Sequence, residues 1–222
     1  MQYTPKDLLG IQLLSTNMIY KREVFFDVET KSFFDFESDN PRDPSTLGVS
    51  IVSVYSREIN ENHQEISGVM KSFWEKDFPA MWEIFGKADR IIGFNTIKFD
   101  VPALKPYAPT YFAKLPHFDI LDEIKRTYGK RMSLNALAKD TLNEEKNDSG
   151  ANAILYWEKG DPASLALLQK YCEMDVKLTA KLYDYGMKHK KLRFTDHWNT
   201  PREIEVDFSY PSAPPVSQTS LF

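Results

Sequence analysis

The hydrophobic and polar positions along the chain predict strands first and an alternation of helices and strands afterwards. The run REVFFDVET, residues 22–30, is rich in β-branched and aromatic residues and predicts a buried strand. LGVSIVSVYS (47–56) and the weaker QEISGVM (64–70), joined by a polar segment, predict a hairpin. The short apolar runs RIIGF (90–94) and HFDIL (117–121) predict two further buried strands.

Helical spacing of apolar residues marks three further segments. FWEKDFPAMWEIFGKAD, residues 73–89, predicts one helix, and Ser133 predicts the N-cap of a second. The clearest helix begins after Asp161, with Pro162 at its first position, and Gly186 predicts its end. Its inward stripe consists of Leu165, Leu168, Cys172, Val176 and Leu182. A carboxylate beside this stripe, that of Asp175, needs a partner.

Composition predicts one globular domain over residues 1–208 and a flexible or extended tail over residues 209–222. The chain has 222 residues, 42% of them hydrophobic, which suits a sizeable core, and the tail is rich in proline and serine without a charged residue. The single cysteine excludes an intrachain disulfide and favours a reducing, cytoplasmic location. No apolar run reaches 18 residues, so we expect no membrane span.

Charge narrows the function classes only slightly. The net charge of −4 argues against a protein that coats nucleic acid through bulk charge. It does not argue against an enzyme that binds a few nucleotides in a metal-containing cleft, because metal ions neutralise acidic ligands there.

Three acidic pieces stand out along the chain. Asp27 and Glu29 share one face of the first strand, about 6.6 Å apart along it. Such a pair either points into water or holds a cation, and the apolar VFF before it favours a buried, central strand. The second piece is GFNTIKFD, residues 93–100, directly after a short strand. The third is Tyr171 with Asp175, which share a helix face because they are four residues apart.

These pieces resemble, in order and spacing, the three motifs of the tyrosine-containing branch of the DEDD exonuclease superfamily. The matching residues are Asp27, Glu29, Asn95, Phe99, Asp100, Tyr171 and Asp175. The resemblance covers roughly residues 20–190. Within the superfamily, the chain is similar to stand-alone exonucleases related to the proofreading domain of family B DNA polymerases. It implies an α/β, ribonuclease H-like fold, with a mixed central sheet that contains three antiparallel strands and is flanked by helices.

The chemistry that this resemblance implies is metal-dependent hydrolysis of the terminal phosphodiester at a 3′ end, releasing nucleoside 5′-monophosphates. Two divalent ions, Mg²⁺ or Mn²⁺, suit hard oxygen ligands. By resemblance Asp27 bridges both ions, Glu29 and Asp175 complete the first, and Asp100 supports the second. The hydroxyl of Tyr171 orients the attacking water. The four histidines form no zinc pattern.

Candidate substrate contacts are less strongly marked. The resemblance assigns this role to Thr30, Asn95 and Phe99. Phe33, Phe34 and Phe99 either stack on terminal bases or belong to the core. Two basic stretches, residues 124–131 and 188–193, are candidates for phosphate contacts or simply solvated helix ends.

The pentapeptide QTSLF at residues 218–222 resembles the motif by which bacterial proteins dock on the replication sliding clamp. A hydrophobic pocket would take Leu221 and Phe222, with Gln218 hydrogen-bonded beside them. The alternative is an incidental tail. Only this resemblance favours DNA over RNA as the substrate, so a ribonuclease D-like 3′→5′ exoribonuclease remains an alternative, as does a non-catalytic interaction module of the same fold.

Overall fold

The computed structural model describes residues 20–37, 40, 42–145 and 150–211. Its centre is a five-stranded mixed sheet formed by β1 (Lys21–Thr30), β2 (Val49–Ile59), β3 (Glu65–Trp74), β4 (Arg90–Gly93) and β5 (His117–Asp119). The strand order is β3-β2-β1-β4-β5. β2 runs antiparallel to its two neighbours, β1 and β3, and β4 and β5 run parallel to β1. The carboxyl ends of β1, β4 and β5 therefore meet at one edge of the sheet.

Helices flank this sheet, and a small hairpin follows the last of them. The helices are α1 (Phe78–Phe85), α2 (Asp100–Leu104), α3 (Ile120–Tyr128), α4 (Leu134–Leu142), α5 (Gly150–Lys159) and α6 (Pro162–His189). The hairpin consists of β6 (Lys191–Thr195) and β7 (Pro201–Glu205). The predicted N-caps Ser133 and Asp161 both accept backbone hydrogen bonds at the starts of α4 and α6. None of the helices in the described ranges combines the length and apolarity that a membrane span requires.

Successive residues of β1 alternate between two cores on opposite faces of the sheet. Val24, Phe26 and Val28 pack in a cluster with residues of α1 and α2. Phe25 packs on the other face, with Val176 and other residues of α6. The predicted mixed sheet with three antiparallel strands and flanking helices is thus confirmed.

The helix predicted over residues 73–89 begins too early. Phe73 pairs with Val52 in the ladder between β3 and β2, where its side chain is buried, so β3 continues to Trp74. A short 3₁₀ helix, Glu75–Asp77, then leads into α1. Burial of an apolar side chain in the sheet outweighs the helical spacing of the sequence at this point.

Gly186 does not end the last helix, as its sequence position suggests. α6 continues to His189, and Lys190 closes it in the left-handed conformation with φ of 57°. Gly186 is required for packing instead, because a Cβ atom there would lie 2.2 Å from Cε2 of Phe208. Three elements, α3, α5 and the β6–β7 hairpin, are additions to the sequence-based prediction.

Candidate active site

A cleft of about 320 Å³ opens at the edge of the sheet where β1 and β4 end. Ten of the residues singled out in the sequence line it: Asp27, Glu29, Thr30, Phe33, Phe34, Asn95, Phe99, Asp100, Tyr171 and Asp175. They come from the end of β1 and the segment after it, the loop between β4 and α2, the first residue of α2, and the middle of α6. The structure thus brings together residues that lie up to 148 positions apart in the chain. The three candidate clamp-docking residues, Gln218, Leu221 and Phe222, lie outside the described residues.

Asp27 and Glu29 belong to the face of β1 that packs against α6. Glu29 is only 8% exposed, and Asp27 is half-buried. Each offers a potential ligand atom, as does Cys172 of α6, and these three atoms lie within 4.8 Å of one another. Like charges this close raise the free energy of the folded protein unless a cation or a proton offsets them.

α6 carries Tyr171 and Asp175 to the same cleft from one helix face, as their spacing predicts. Both side chains are buried, with exposures of 9% and 6%. Between them, the thiol of Cys172 donates to the backbone oxygen of Asp27 at 3.4 Å and to its Oδ2 at 3.7 Å. Burial, together with the charges of Asp27 and Glu29, raises the pKa of Cys172 well above its usual value. Without a metal ion, the sulfur is therefore a neutral thiol.

Asp100 is the first residue of α2 and is 3% exposed. Its Oδ1 accepts a hydrogen bond from the backbone N–H of Val28 at 3.0 Å, which ties the loop after β4 to β1. Burial raises the pKa of Asp100 to about 8, and the charges of Asp119 and Asp175 add to this rise. A bound cation in the cleft would reverse that shift, because it favours the ionised carboxylate.

The candidate substrate contacts also line the cleft. Thr30 is buried and donates through Oγ1 to the carbonyl of Ser32 at 3.1 Å. Phe99 meets Phe34 edge to face, with ring centroids 6.2 Å apart. Phe33, by contrast, is 58% exposed, which is far from a core position.

Asn95 has a left-handed backbone, with φ of 67°, and its Oδ1 is buried without a hydrogen-bond partner among the described residues. Buried acceptors are nearly always paired in folded proteins. Asn95 itself lines the cleft.

Asp119, at the end of β5, was not singled out by the sequence reasoning, although its carboxylate holds the loop that carries Asn95. It accepts from the backbone N–H of Asn95 at 2.8 Å and from that of Ile97 at 3.0 Å. It also caps α3. The available signal was an aspartate directly before ILDE, a spacing typical of a helix N-cap.

The donor atoms suit a hard divalent cation. Carboxylate oxygens from Asp27 and Glu29 lie close enough for one ion with ligand distances of about 2.1–2.5 Å to contact both. Asp100 and Asp175 line the same cleft and add two further carboxylates. The thiol of Cys172 is the one soft donor of this set, beside four carboxylates, so oxygen ligation of Mg²⁺ or Mn²⁺ fits the site.

A family model described as the RNase_H superfamily matches residues 24–187. The match spans most of the chain and includes all four acidic positions and Tyr171. The chain therefore belongs to the RNase H superfamily, and the predicted ribonuclease H-like fold is confirmed. This membership indicates a nuclease, a hydrolase of nucleic acids that uses divalent metal. No curated protein matches the chain.

Proposed function

We propose that this protein is a 3′→5′ exonuclease of the tyrosine-containing DEDD type that removes nucleotides from DNA ends. The observation that carries the proposal is the convergence of four carboxylates and one tyrosine hydroxyl on a single cleft. The four are supplied by Asp27, Glu29, Asp100 and Asp175. They come from three separate chain segments, in the order and on the elements that this exonuclease type uses.

Each residue then has a distinct task at the scissile phosphate. When bound, a pair of divalent ions supplies a nucleophilic water and stabilises charge on the attacking and leaving oxygens. Asp27, Glu29, Asp100 and Asp175 would hold these ions. Tyr171 would orient the water by hydrogen bonding, because an ordinary tyrosine pKa near 10 makes its hydroxyl a poor base at neutral pH.

Thr30, Asn95 and Phe99 would receive the terminal nucleotide. Asn95 lines the cleft, and its side-chain amide can hydrogen-bond with a hydroxyl of the terminal sugar. Phe99 presents a ring beside it on which the terminal base can stack. A 3′ end with a free sugar hydroxyl would therefore bind better than a blocked one.

Single-stranded DNA labelled at its 5′ end and a matched RNA, each incubated with Mg²⁺, Mn²⁺ or chelator, test this proposal. We expect a ladder that shortens from the 3′ end in the presence of metal, and its loss in chelator. Degradation from the 5′ end, internal cutting, or no degradation of either substrate would contradict the proposal. Faster degradation of RNA than of DNA would favour the exoribonuclease alternative.

Recruitment to DNA by the sliding clamp is a separate part of the proposal. It is supported by the resemblance of residues 218–222 to the clamp-docking pentapeptide. The proline-rich stretch before them suits an extended spacer, and tethering would raise the local concentration of the nuclease at DNA. Calorimetry with a bacterial clamp should show binding that disappears when residues 218–222 are deleted. Equal binding heats for the full chain and the deletion variant would refute clamp docking through these residues. The nuclease assignment does not depend on this result.

A further inference from the structure

The loop between β4 and α2, residues 94–99, is held in place from the neighbouring strand. β4 and β5 pair in parallel, and the last residue of β4, Gly93, lies opposite Asp119. Asp119 is only 4% exposed, so its carboxylate acts inside the protein and not at the surface. It therefore lies where the loop leaves the sheet.

The two oxygens of this carboxylate divide their hydrogen bonds between two structures. Oδ1 accepts from Asn95 N at 2.8 Å and from Leu121 N, in the first turn of α3, at 2.9 Å. Oδ2 accepts from Ile97 N at 3.0 Å. One side chain thus ties the loop to the start of α3.

These bonds keep Asn95 in a conformation that few residues adopt. A left-handed backbone is unfavourable for residues other than glycine, although asparagine tolerates it best. Between the two tied amides, Thr96 is 1% exposed and folds back on Gly93, where a Cβ atom would lie 2.0 Å from its Cγ2. The backbone is thereby fixed on both sides of Asn95, which lines the cleft.

Asp100 is secured by a different contact. Its Oδ1 accepts from Val28 N on β1, at 3.0 Å, and this bond does not involve Asp119. The acidic part of the cleft and the part that carries Asn95 thus have separate supports.

Resting on the proposed exonuclease function, we propose that Asp119 is a positioning residue for substrate. Its carboxylate sets Asn95 to receive the terminal nucleotide, while the metal-binding carboxylates keep their places without it. Loss of these bonds should weaken substrate binding far more than metal binding.

Asp119→Asn is the selective test, because asparagine remains a good N-cap for α3. If its oxygen keeps the bonds to Asn95 and Leu121, its amide group faces the N–H of Ile97, a donor against a donor. We expect KM for single-stranded DNA to rise roughly ten- to a hundredfold, since misplacement by about 1 Å has such effects. Affinity for Mn²⁺, measured by electron paramagnetic resonance, should stay within about twofold of the wild-type value.

Two further variants separate positioning from a general loss of structure. Ser133→Ala removes the N-cap bond to Ala136 of α4 and should lower stability without changing KM. If Asp119 acts through Asn95, the double variant with Asn95→Ala should have the same KM as Asn95→Ala alone.

The outcomes are distinct. A KM in Asp119→Asn no higher than in Ser133→Ala, an equal fall in Mn²⁺ affinity, or additive effects in the double variant would overturn the positioning role. A wild-type protein that degrades neither DNA nor RNA would instead overturn the proposed function, and this inference with it.

Discussion

The two ends of β1 bury carboxylates in opposite ways. At its start, Glu23 is fully buried, and its Oε2 accepts from Nε and Nη2 of Arg57 at 2.8 and 2.7 Å. Its Oε1 accepts from the hydroxyls of Tyr183 and Tyr210 at 3.0 and 2.9 Å. At the other end, about 13 Å along the strand, Asp27 and Glu29 open into the cleft.

The difference lies in the neighbours, because both sites use the same strand face and the same helix. The cross-strand partner of Glu23 is Arg57, whereas that of Asp27 is Ser53. Farther along α6, Tyr183 closes the first site, and Tyr171 lines the second. A carboxylate saturated by protein donors stabilises the fold. A group of carboxylates that lines a cleft can together hold a metal ion.

The largest effect on activity is expected when one carboxylate at the cleft is neutralised. Asp27→Asn should lower nuclease activity by at least about a thousandfold, since metal ligation supplies several kcal/mol of transition-state stabilisation. The melting temperature of the metal-free protein should stay the same or rise, because mutual repulsion in the cleft decreases. Gel-based nuclease assays and thermal melts measure both. Activity near the wild-type level would refute the role of Asp27.

The matched change is Glu23→Gln, at the start of β1. We call this the closed end of the strand, because protein donors surround the carboxylate of Glu23 there. The substitution leaves Arg57 without its fully buried carboxylate partner, although the half-exposed Asp184 still accepts from Nη2 of Arg57 at 2.6 Å. We expect a loss of about 3 kcal/mol in the free energy of unfolding, near the lower bound for a broken buried ion pair. Activity per folded molecule should not change. A variant as stable as wild type in urea titrations would contradict this account of the closed end.

Two tyrosines on α6, about 18 Å apart along the helix, sharpen the comparison with a smaller change. Tyr171→Phe removes only the hydroxyl at the cleft and should lower kcat roughly ten- to a hundredfold through poorer orientation of the water. Tyr183→Phe removes the hydroxyl that bonds Glu23 and Arg90 and should cost about 1–2 kcal/mol of stability. Steady-state kinetics and melts on both variants test this. A lower kcat in Tyr183→Phe together with a lower stability in Tyr171→Phe would contradict this account.

The smallest expected effect concerns Cys172, whose thiol donates to Asp27. Cys172→Ala removes this weak donor and should raise the Mn²⁺ concentration for half-maximal activity about threefold. Cys172→Ser keeps a donor and should recover part of the loss. A serine variant that is worse than the alanine variant would show that packing, and not the hydrogen bond, is what this position provides.

Much of the fold followed from sequence, because its strongest signals are local. The alternation in β1 and the capped, amphipathic α6 carry three of the four acidic side chains, so their placement needed only strand and helix periodicity. The signals for α3 and for Asp119 are mixed. Asp119 ends β5 and caps α3 without an intervening loop, so HFDIL reads as one strand. Its role depends on the parallel pairing of β4 and β5, which local sequence does not encode.

The contacts of Glu23 at the closed end of β1 could not be predicted from sequence patterns either. Glu23 meets Arg57 only through the register of β1 and β2, and Tyr210 reaches it from 187 residues away. Arg90 holds the same C-terminal segment by donating to the carbonyl of Phe208 at 2.6 Å. Ser209 and Tyr210 are therefore packed on the domain, while the division at residue 208 remains a prediction.

The most direct test of the central claim is a crystal of the protein soaked in Mn²⁺ and measured for anomalous scattering. The account predicts two peaks in the cleft, each with carboxylate oxygens among Asp27, Glu29, Asp100 and Asp175 at about 2.1–2.5 Å. A crystal soaked in saturating Mn²⁺ that shows no anomalous peak in this cleft, or peaks only elsewhere, would contradict the assignment of this site as a metal-dependent nuclease centre.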